Sequence, residues 1–423
     1  MRMRGVSREK FLKGTAIAAG AASIGFPAYI PRLGEAADEI RIGGIDPLTG
    51  TYAALGKSEF NGMQMALDAW NKRGGPMGRK VVLLKEDSQA DPGVGVQKAR
   101  KLVNQDHCVA LIGSVSSAVS LSVGGAAHSM GVVFMDTGGH TDDFTMKDCH
   151  WTSFQICHPT WMLTHATGYT FAKFSKKWYA ISPDYAFGHS IMDGYVDIAK
   201  QVGATLVGNV FAPLGTSEWG AYLPQLASSG AGVFIANPGG NDFITLMQQA
   251  KSYGILSKMK VGGPLLDMEN FYALPPSARV GYWGVEWYYS SPLVLGNKKS
   301  AHEFVAGYKK RYGGPPTPRS AFGFMGMQML LNGIDAAKST DAVKIAHALE
   351  GKKFDAPIFT GDAYFRADNH ALMWPMWVGD TVANGIGGDP YNLERIVDRI
   401  APEKISSTPA EIKAACPSLG YPS

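Results

Sequence analysis

The sequence predicts an α/β protein with two lobes, each a doubly wound parallel sheet. Short apolar, strand-like runs alternate with helix-period segments along most of the chain. That alternation is the pattern of parallel strands joined by right-handed helical crossovers. Loops rich in glycine and serine follow the strands and open the helices, and in open α/β sheets this edge binds ligands. About 385 residues beyond the amino-terminal segment exceed what one core supports, so two domains are expected.

The first 36 residues stand apart. Arg2, Arg4, Arg8, Lys10 and Lys13 precede a small-residue apolar run over 14–30 that is broken by Pro27. Gly34, Glu35 and Ala36 then offer small residues at the spacing a signal peptidase needs, so 1–36 reads as an export signal cleaved after Ala36. Residues 7–13 are similar to a twin-arginine box with Glu9 in place of the second arginine, which leaves the twin-arginine and Sec routes both open. The run is short and glycine-rich for an uncleaved anchor. This segment carries six basic and two acidic residues, hence the whole net charge of +4, and the remainder is neutral. A neutral remainder argues against nucleic acid or an anionic membrane as partner. No later stretch has the roughly 18 consecutive apolar residues of a membrane span.

Residues 40–45 form the first strand, which ends at Asp46 and Pro47. A polar loop through Gly56 leads into a helix whose apolar face is Phe60, Met63, Ala66, Leu67 and Trp70. Glycines and a proline within 71–78 stop that helix, and 81–85 restarts the sheet. Residues 50–58, GTYAALGKS, are similar to a phosphate-cradling P-loop. Five residues rather than four separate Gly50 from the Gly-Lys-Ser, however, and this displaces the amide nest. Lys57 therefore reads as a surface lysine at a helix start. Further strands are expected at 109–113, 132–135, 178–181 and 232–236, with helices from 117, over 191–202 and over 243–253. Pro315, Pro316, Thr317 and Pro318 read as a rigid loop before a helix at 321–337, and the Pro- and Ser-rich tail after 401 is expected to pack on the surface.

Pro47-Leu48-Thr49-Gly50, Gly56, Asn61-Gly62, Ala66, Asn71, Gly74-Gly75, Gly78, Glu86-Asp87 and Asp91-Pro92 occur in this order. With them the chain resembles the periplasmic binding proteins related to the leucine/isoleucine/valine-binding protein, to about Gly379. The resemblance implies the type I periplasmic binding fold, a three-crossing hinge near 155–160, 285–291 and 360–364, and discontinuous lobes. These would be 38–156 with 288–361 and 157–287 with 362–400, leaving 401–423 as a tail. It implies a monomeric periplasmic receptor without cofactor or metal, which closes on a small solute and feeds an ABC permease in the inner membrane. A periplasmic sensor of the same fold is the alternative, and a hydrolytic enzyme a weaker one. The sequence holds no G-x-S-x-G elbow, H-E-x-x-H or dinucleotide fingerprint. Export permits disulfides among Cys108, Cys149, Cys157 and Cys416, whose spacing fits no zinc pattern. The disulfide of some relatives would join the positions of Ala90 and Ser116, so any pairing here differs and is not assigned.

Candidate ligand residues lie in the loops after the strands. Ser116 and Ser117 open a helix, where free amides and hydroxyls suit a carboxylate. The dipole contributes roughly 0.3–1 kcal/mol, or ~2 when partly buried. The resemblance gives Ser117 the ligand's carboxylate; helix capping alone is the other role. Gly138 and Gly139 let a ligand approach the backbone. His140, at a threonine position of the family, can donate to a carboxylate, titrate, or simply cap a helix. Asp184 and Tyr185 are polar candidates, and Phe187 replaces a tyrosine that lies over the ligand. Gly239 and Gly240 stand where the family has a ligand-facing tyrosine, and Leu55 where a tryptophan often meets the substrate side chain.

Leu265 falls where amino-acid binders carry a glutamate. A buried ammonium without a carboxylate partner costs several kcal/mol. The expected ligand is therefore a carboxylate without an amine, aromatic acids included, ahead of a hydrophobic amino acid such as leucine. Asp46, Asp184 or Asp267 supplying the missing charge is the alternative. Most of Trp283, Trp287, Tyr288, Tyr289, Trp374 and Trp377 are expected to pack, with one or two lining the cleft, and Glu286 to be solvated or paired.

Overall fold

The computed structural model describes residues 39–422, so the export-signal reading of 1–36 lies outside the described residues. The first sheet is wholly parallel, in the order β2-β1-β3-β4-β5. Its strands are β1 (Ile40–Asp46), β2 (Val81–Asp87), β3 (Ala110–Gly113), β4 (Val133–Asp136) and β5 (Ser153–Gln155). Helices α1 (Ala53–Lys72), α2 (Pro92–Asn104) and α3 (Ser117–Met130) make the crossovers. Lys57 is exposed within α1, which agrees with a surface lysine rather than a phosphate loop.

After β5 the chain enters the second lobe through α4 (Thr160–Phe174). Five strands follow: β6 (Lys177–Pro183), β7 (Thr205–Ala212), β8 (Val233–Ala236), β9 (Lys260–Gly263) and β10 (Tyr282–Val285). Between them run α5 (Ala186–Gln201), α6 (Leu223–Ser228), α7 (Gly240–Ser252), α8 (Ile255–Lys258) and α9 (Met268–Ala273). The chain then returns to the first lobe with α10 (Pro292–Leu295), α11 (Lys299–Tyr312), α12 (Pro318–Ala337) and α13 (Ala342–Leu349).

Strands β11 (Lys353–Asp355), β12 (Asp362–Phe365) and β13 (Leu372–Met373) form a small antiparallel sheet. Finally β14 (Met376–Thr381) and β15 (Glu394–Ile400) complete the larger sheet, in the order β15-β14-β10-β9-β8-β6-β7. The third crossing had been expected at 360–364. Residues 362–364 instead pair with β11, and Ala371 bridges to Gln155 of β5, so the chain joins the larger sheet only at Met376. The hairpin supplies hydrogen-bond partners that keep this segment beside the first sheet.

Helix α12 begins three residues before the expected start. Thr317 and Ser320 form a reciprocal capping box and Pro318 takes the first helical position, where its missing N–H costs nothing. Arg319 thereby sits in the first turn. Helices α1 and α12 pack backbone to backbone, because a Cβ on Gly62 would strike the Ser320 carbonyl and one on Gly323 the Glu59 carbonyl. Only glycine permits that approach, and it sets Glu59 and Arg319 side by side.

The six clustered tryptophans and tyrosines are all buried, so they pack. The tail does more than lie on the surface: Ile405, Ile412 and Cys416 are buried, and Cys416 of the segment after α14 (Pro409–Ala415) is bonded to Cys149. Cys108 and Cys157 are free and buried. Among the described residues no helix is long and apolar enough to cross a membrane, and no cluster of His, Cys, Asp or Glu could hold a metal.

Candidate functional site

The carboxyl-terminal strand edges of the two lobes face each other. In the first lobe Asp46 ends β1 and accepts from the Ser114 amide at 2.9 Å, which fixes the β3–α3 loop. Ser116 precedes α3 but makes no side-chain cap, and its buried Oγ has no hydrogen-bond partner. Ser117 Oγ accepts from the Thr141 amide at 3.3 Å. Asp136, at the end of β4, accepts from Ser120 Oγ at 2.8 Å and from the Gly139 amide at 3.0 Å, shaping the Gly138–Gly139 turn.

His140 is buried between Phe187 and Phe322, with ring centroids 6.3 and 6.1 Å away. Its Nδ1 faces the His158 carbonyl at 2.9 Å and therefore donates; Nε2 makes no hydrogen bond and lies 3.6 Å from Glu286. Burial pushes the His140 pKa down, against the pull of Glu286.

In the second lobe the Tyr185 hydroxyl meets that of Tyr52 at 2.9 Å, across the interface. Leu55 packs with Tyr52 and Val115 against Tyr185. Gly240 adopts φ +58 and a Cβ there would strike the Thr51 carbonyl, while one on Gly239 would lie 3.2 Å from the Tyr52 ring. Thr51 and Tyr52 from the opposite lobe therefore cover Gly239 and Gly240. Asn237 donates to Ser182 at 2.9 Å and leaves its own buried Oδ1 unpartnered. Leu265 is partly buried and lines a small cavity with Asn237 and Asp267. Asp184 is exposed and turns to His189 at 3.0 Å.

Sequence reading missed the most heavily bonded residue here. Arg319 is buried and crosses between the lobes: Nε and Nη2 contact Asp267 at 2.6 and 3.3 Å, and Nη1 contacts Glu59 at 3.3 Å and the Gly138 carbonyl at 3.1 Å. Glu286, expected to be solvated or paired, is buried and paired. It accepts from the backbone amide of His158 at 2.8 Å and faces its Nδ1 at 2.9 Å, while His158 Nε2 faces the Trp374 carbonyl at 3.1 Å.

The model of the family described as periplasmic binding protein matches residues 39–385. The chain belongs to that family. The Leu/Ile/Val-binding protein homolog 7 of Brucella abortus (strain 2308) is 26% identical over 341 residues, 76% of this chain and 83% of the relative. A periplasmic binding protein from Burkholderia mallei superposes with a TM-score of 0.83 at 24% identity, covering 90% of this chain and 99% of that one. An ABC-transporter solute-binding protein from R. palustris, solved in complex with benzoate, gives a TM-score of 0.76 at 19% identity, covering 86% and 97%. Fold and family are those of solute-binding proteins, of the type I periplasmic binding architecture.

The cleft of this periplasmic binding protein is rich in carboxyl groups whose affinity for protons is altered. Burial raises Asp136 to about 8, against hydrogen bonds from Ser120 and the Gly139 and Gly138 amides. It also raises Glu269 to about 7, helped by Asp267, and pushes Glu59 upward against Arg319 and Thr137. Glu286 goes the other way: burial works to raise it, but the neighbouring His140 and the hydrogen bonds from His158 lower it.

For the raised acids, the folded protein keeps protons that the unfolded chain has lost above its ordinary carboxyl range. Their contribution is complete below about pH 4 and falls as pH rises toward 8. Urea unfolding should therefore show a lower stability at pH 8 than at pH 6, by on the order of 2 kcal/mol. Asp136→Asn should flatten part of that slope; an unchanged slope in the variant would remove Asp136 as its source.

Proposed function

We propose that this protein is the extracytoplasmic receptor of an ABC importer, with lobes that close by hinge rotation on a small carboxylate-bearing solute and carry it to an inner-membrane permease. The two lobes would be built from discontinuous segments and would work as a monomer in the periplasm, reached through the signal read at 1–36. Catalysis has no part in this reading.

One observation carries the solute site: buried, unpartnered polar atoms of Ser116, His140 and Asn237 stand at the facing strand edges of both lobes. Polar atoms are seldom left without partners when buried, so a ligand that supplies hydrogen bonds accounts for them. The Ser116–Ser117 end of α3 would take the carboxylate, with Gly138, Gly139 and His140 beside it. Tyr185, Phe187, Gly239, Gly240, Leu55 and Leu265 would surround the rest of the solute. Asp184 is the weakest candidate, since its carboxylate is held at the surface by His189. The names of the relatives agree with this reading: one is a homologue of a Leu/Ile/Val-binding protein, another binds benzoate and belongs to an ABC transporter.

The test is gentle purification followed by mass spectrometry of the released solute, with a thermal-shift panel of amino acids, amides and aromatic acids. A bound ligand raises the melting midpoint by mass action, and loss of its uptake in a deletion strain distinguishes transport from sensing. Release of a chemically converted compound, or scattering curves unchanged by every member of the panel, would overturn the proposal.

A further inference from the structure

Beyond its three backbone crossings, the chain is joined between the lobes a fourth time. Strand β15 belongs to the larger sheet, and soon after it Ile405 is buried in the second lobe's apolar cluster with Met162, Leu163 and Met376. The tail then ends on the first lobe, where Cys416 is bonded to Cys149, shortly before β5. The Trp151 amide donates to the Leu419 carbonyl at 2.9 Å, and Tyr421 donates to Glu350 at the end of α13 at 2.6 Å. The match to the family model stops at residue 385, so this fastened segment lies beyond it.

The tail also lies on the hinge. A small cavity is lined by Pro159 and Trp161, where the chain enters the second lobe, by Ala371 and Met373 of the last crossing, and by Ser406 and Ile412 of the tail. Ten residues separate Ile405 from Cys416, seven of them in α14. A capping box of Thr408 and Glu411 fixes the start of that helix, with Pro409 in its first turn. A helix rises about 1.5 Å per residue and extended chain about 3.5 Å, so this segment lengthens substantially only if α14 melts.

We propose that residues 401–421 are a strap, bolted by the Cys149–Cys416 bond, that holds the two lobes together and limits how far the hinge opens. The inference rests on the hinge closure in the reading above. The lobes touch in the structure: Arg319 contacts Asp267, Tyr52 meets Tyr185, and the Asn241 amide donates to the Thr51 carbonyl at 3.2 Å. Rotating one lobe against the other displaces the Ile405 anchor relative to the Cys416 anchor. Opening must then unseat buried apolar side chains or melt α14. With slack in the strap, the tail rides with the second lobe and that cost disappears.

The Asn241 amide reports opening directly. It lies in the first turn of α7, where amides find no acceptor in their own helix, and the carbonyl that takes it belongs to the other lobe. The experiment follows hydrogen exchange by mass spectrometry, without added solute, in the protein purified with its disulfide formed. It is compared with a variant carrying Gly-Ser-Gly-Ser inserted between Ser406 and Ser407, which keeps the bond and both anchors but adds slack. The lengthened variant should exchange the Asn241 amide at least tenfold faster, while amides of the central strands β3 and β8 keep their wild-type rates. C149S/C416S, which cuts the strap, should speed Asn241 at least as much. Should the insertion fail to fold by circular dichroism, I405S, which releases the other anchor and keeps the bond, carries the same expectation. An Asn241 amide already unprotected in the wild type, a rate unmoved by slack, or equal acceleration in β3 and β8 of the lengthened variant would overturn the strap. A protein that binds no solute of the thermal-shift panel, yet loosens at Asn241 when the strap is lengthened, would lose the receptor reading and keep the strap.

Discussion

Replacing Cys149 and Cys416 by serine is expected to lower the unfolding free energy by roughly 5–6 kcal/mol, the value the loop-entropy account gives for closing a loop of this length. The bond joins residues 267 apart in sequence, so it removes much freedom from the unfolded chain. It also fastens a tail that leaves β15 of the second lobe and ends on the first. There the Trp151 amide donates to the Leu419 carbonyl at 2.9 Å, Tyr421 donates to Glu350 at 2.6 Å, and the Tyr421 ring stacks on His347. Urea titrations of the wild type, with and without reductant, and of the double-serine variant measure the effect. Midpoints that coincide in all three would show that the bond adds nothing to stability.

Glu286→Ala is expected to cost about 2–4 kcal/mol, because it leaves two buried groups, the His158 amide and its Nδ1, without the acceptor they share. The location makes the loss more than local. His158 lies in the first passage between the lobes, Glu286 follows β10 at the start of the second, and the Trp374 carbonyl that faces His158 Nε2 precedes β14 in the third. One imidazole thus pins all three passages, and it also links them to His140, 3.6 Å from the same carboxylate. Glu286→Gln, which keeps an acceptor but not the charge, should cost less than the alanine. The free energy of unfolding decides the matter, and an alanine variant within 1 kcal/mol of wild type would be incompatible with a structural pin.

Much of the candidate site's layout is legible in the sequence because its parts are local. Ser116 and Ser117 follow a strand and open a helix, and Gly138, Gly139 and His140 follow the next strand; period and turn chemistry alone place such residues on a ligand-binding edge. The structure brings both loops to the same edge of the first sheet. Arg319 gave no comparable signal. Between Pro318 and Ser320 it reads as an ordinary first-turn residue, and its meaning depends on partners 52, 181 and 260 positions away. The same holds for Glu286 and His158, 128 apart, and for the cysteine pair.

The alternation of strands and helices and the glycine-marked loops determined the two-lobed α/β architecture without any coordinates, because both arise from backbone geometry and neighbouring residues. Folding alone decided which lone charges meet. A carboxylate and a guanidinium from opposite lobes acquire their roles only when burial removes water from around them, and that depends on distances through space which position along the chain does not encode.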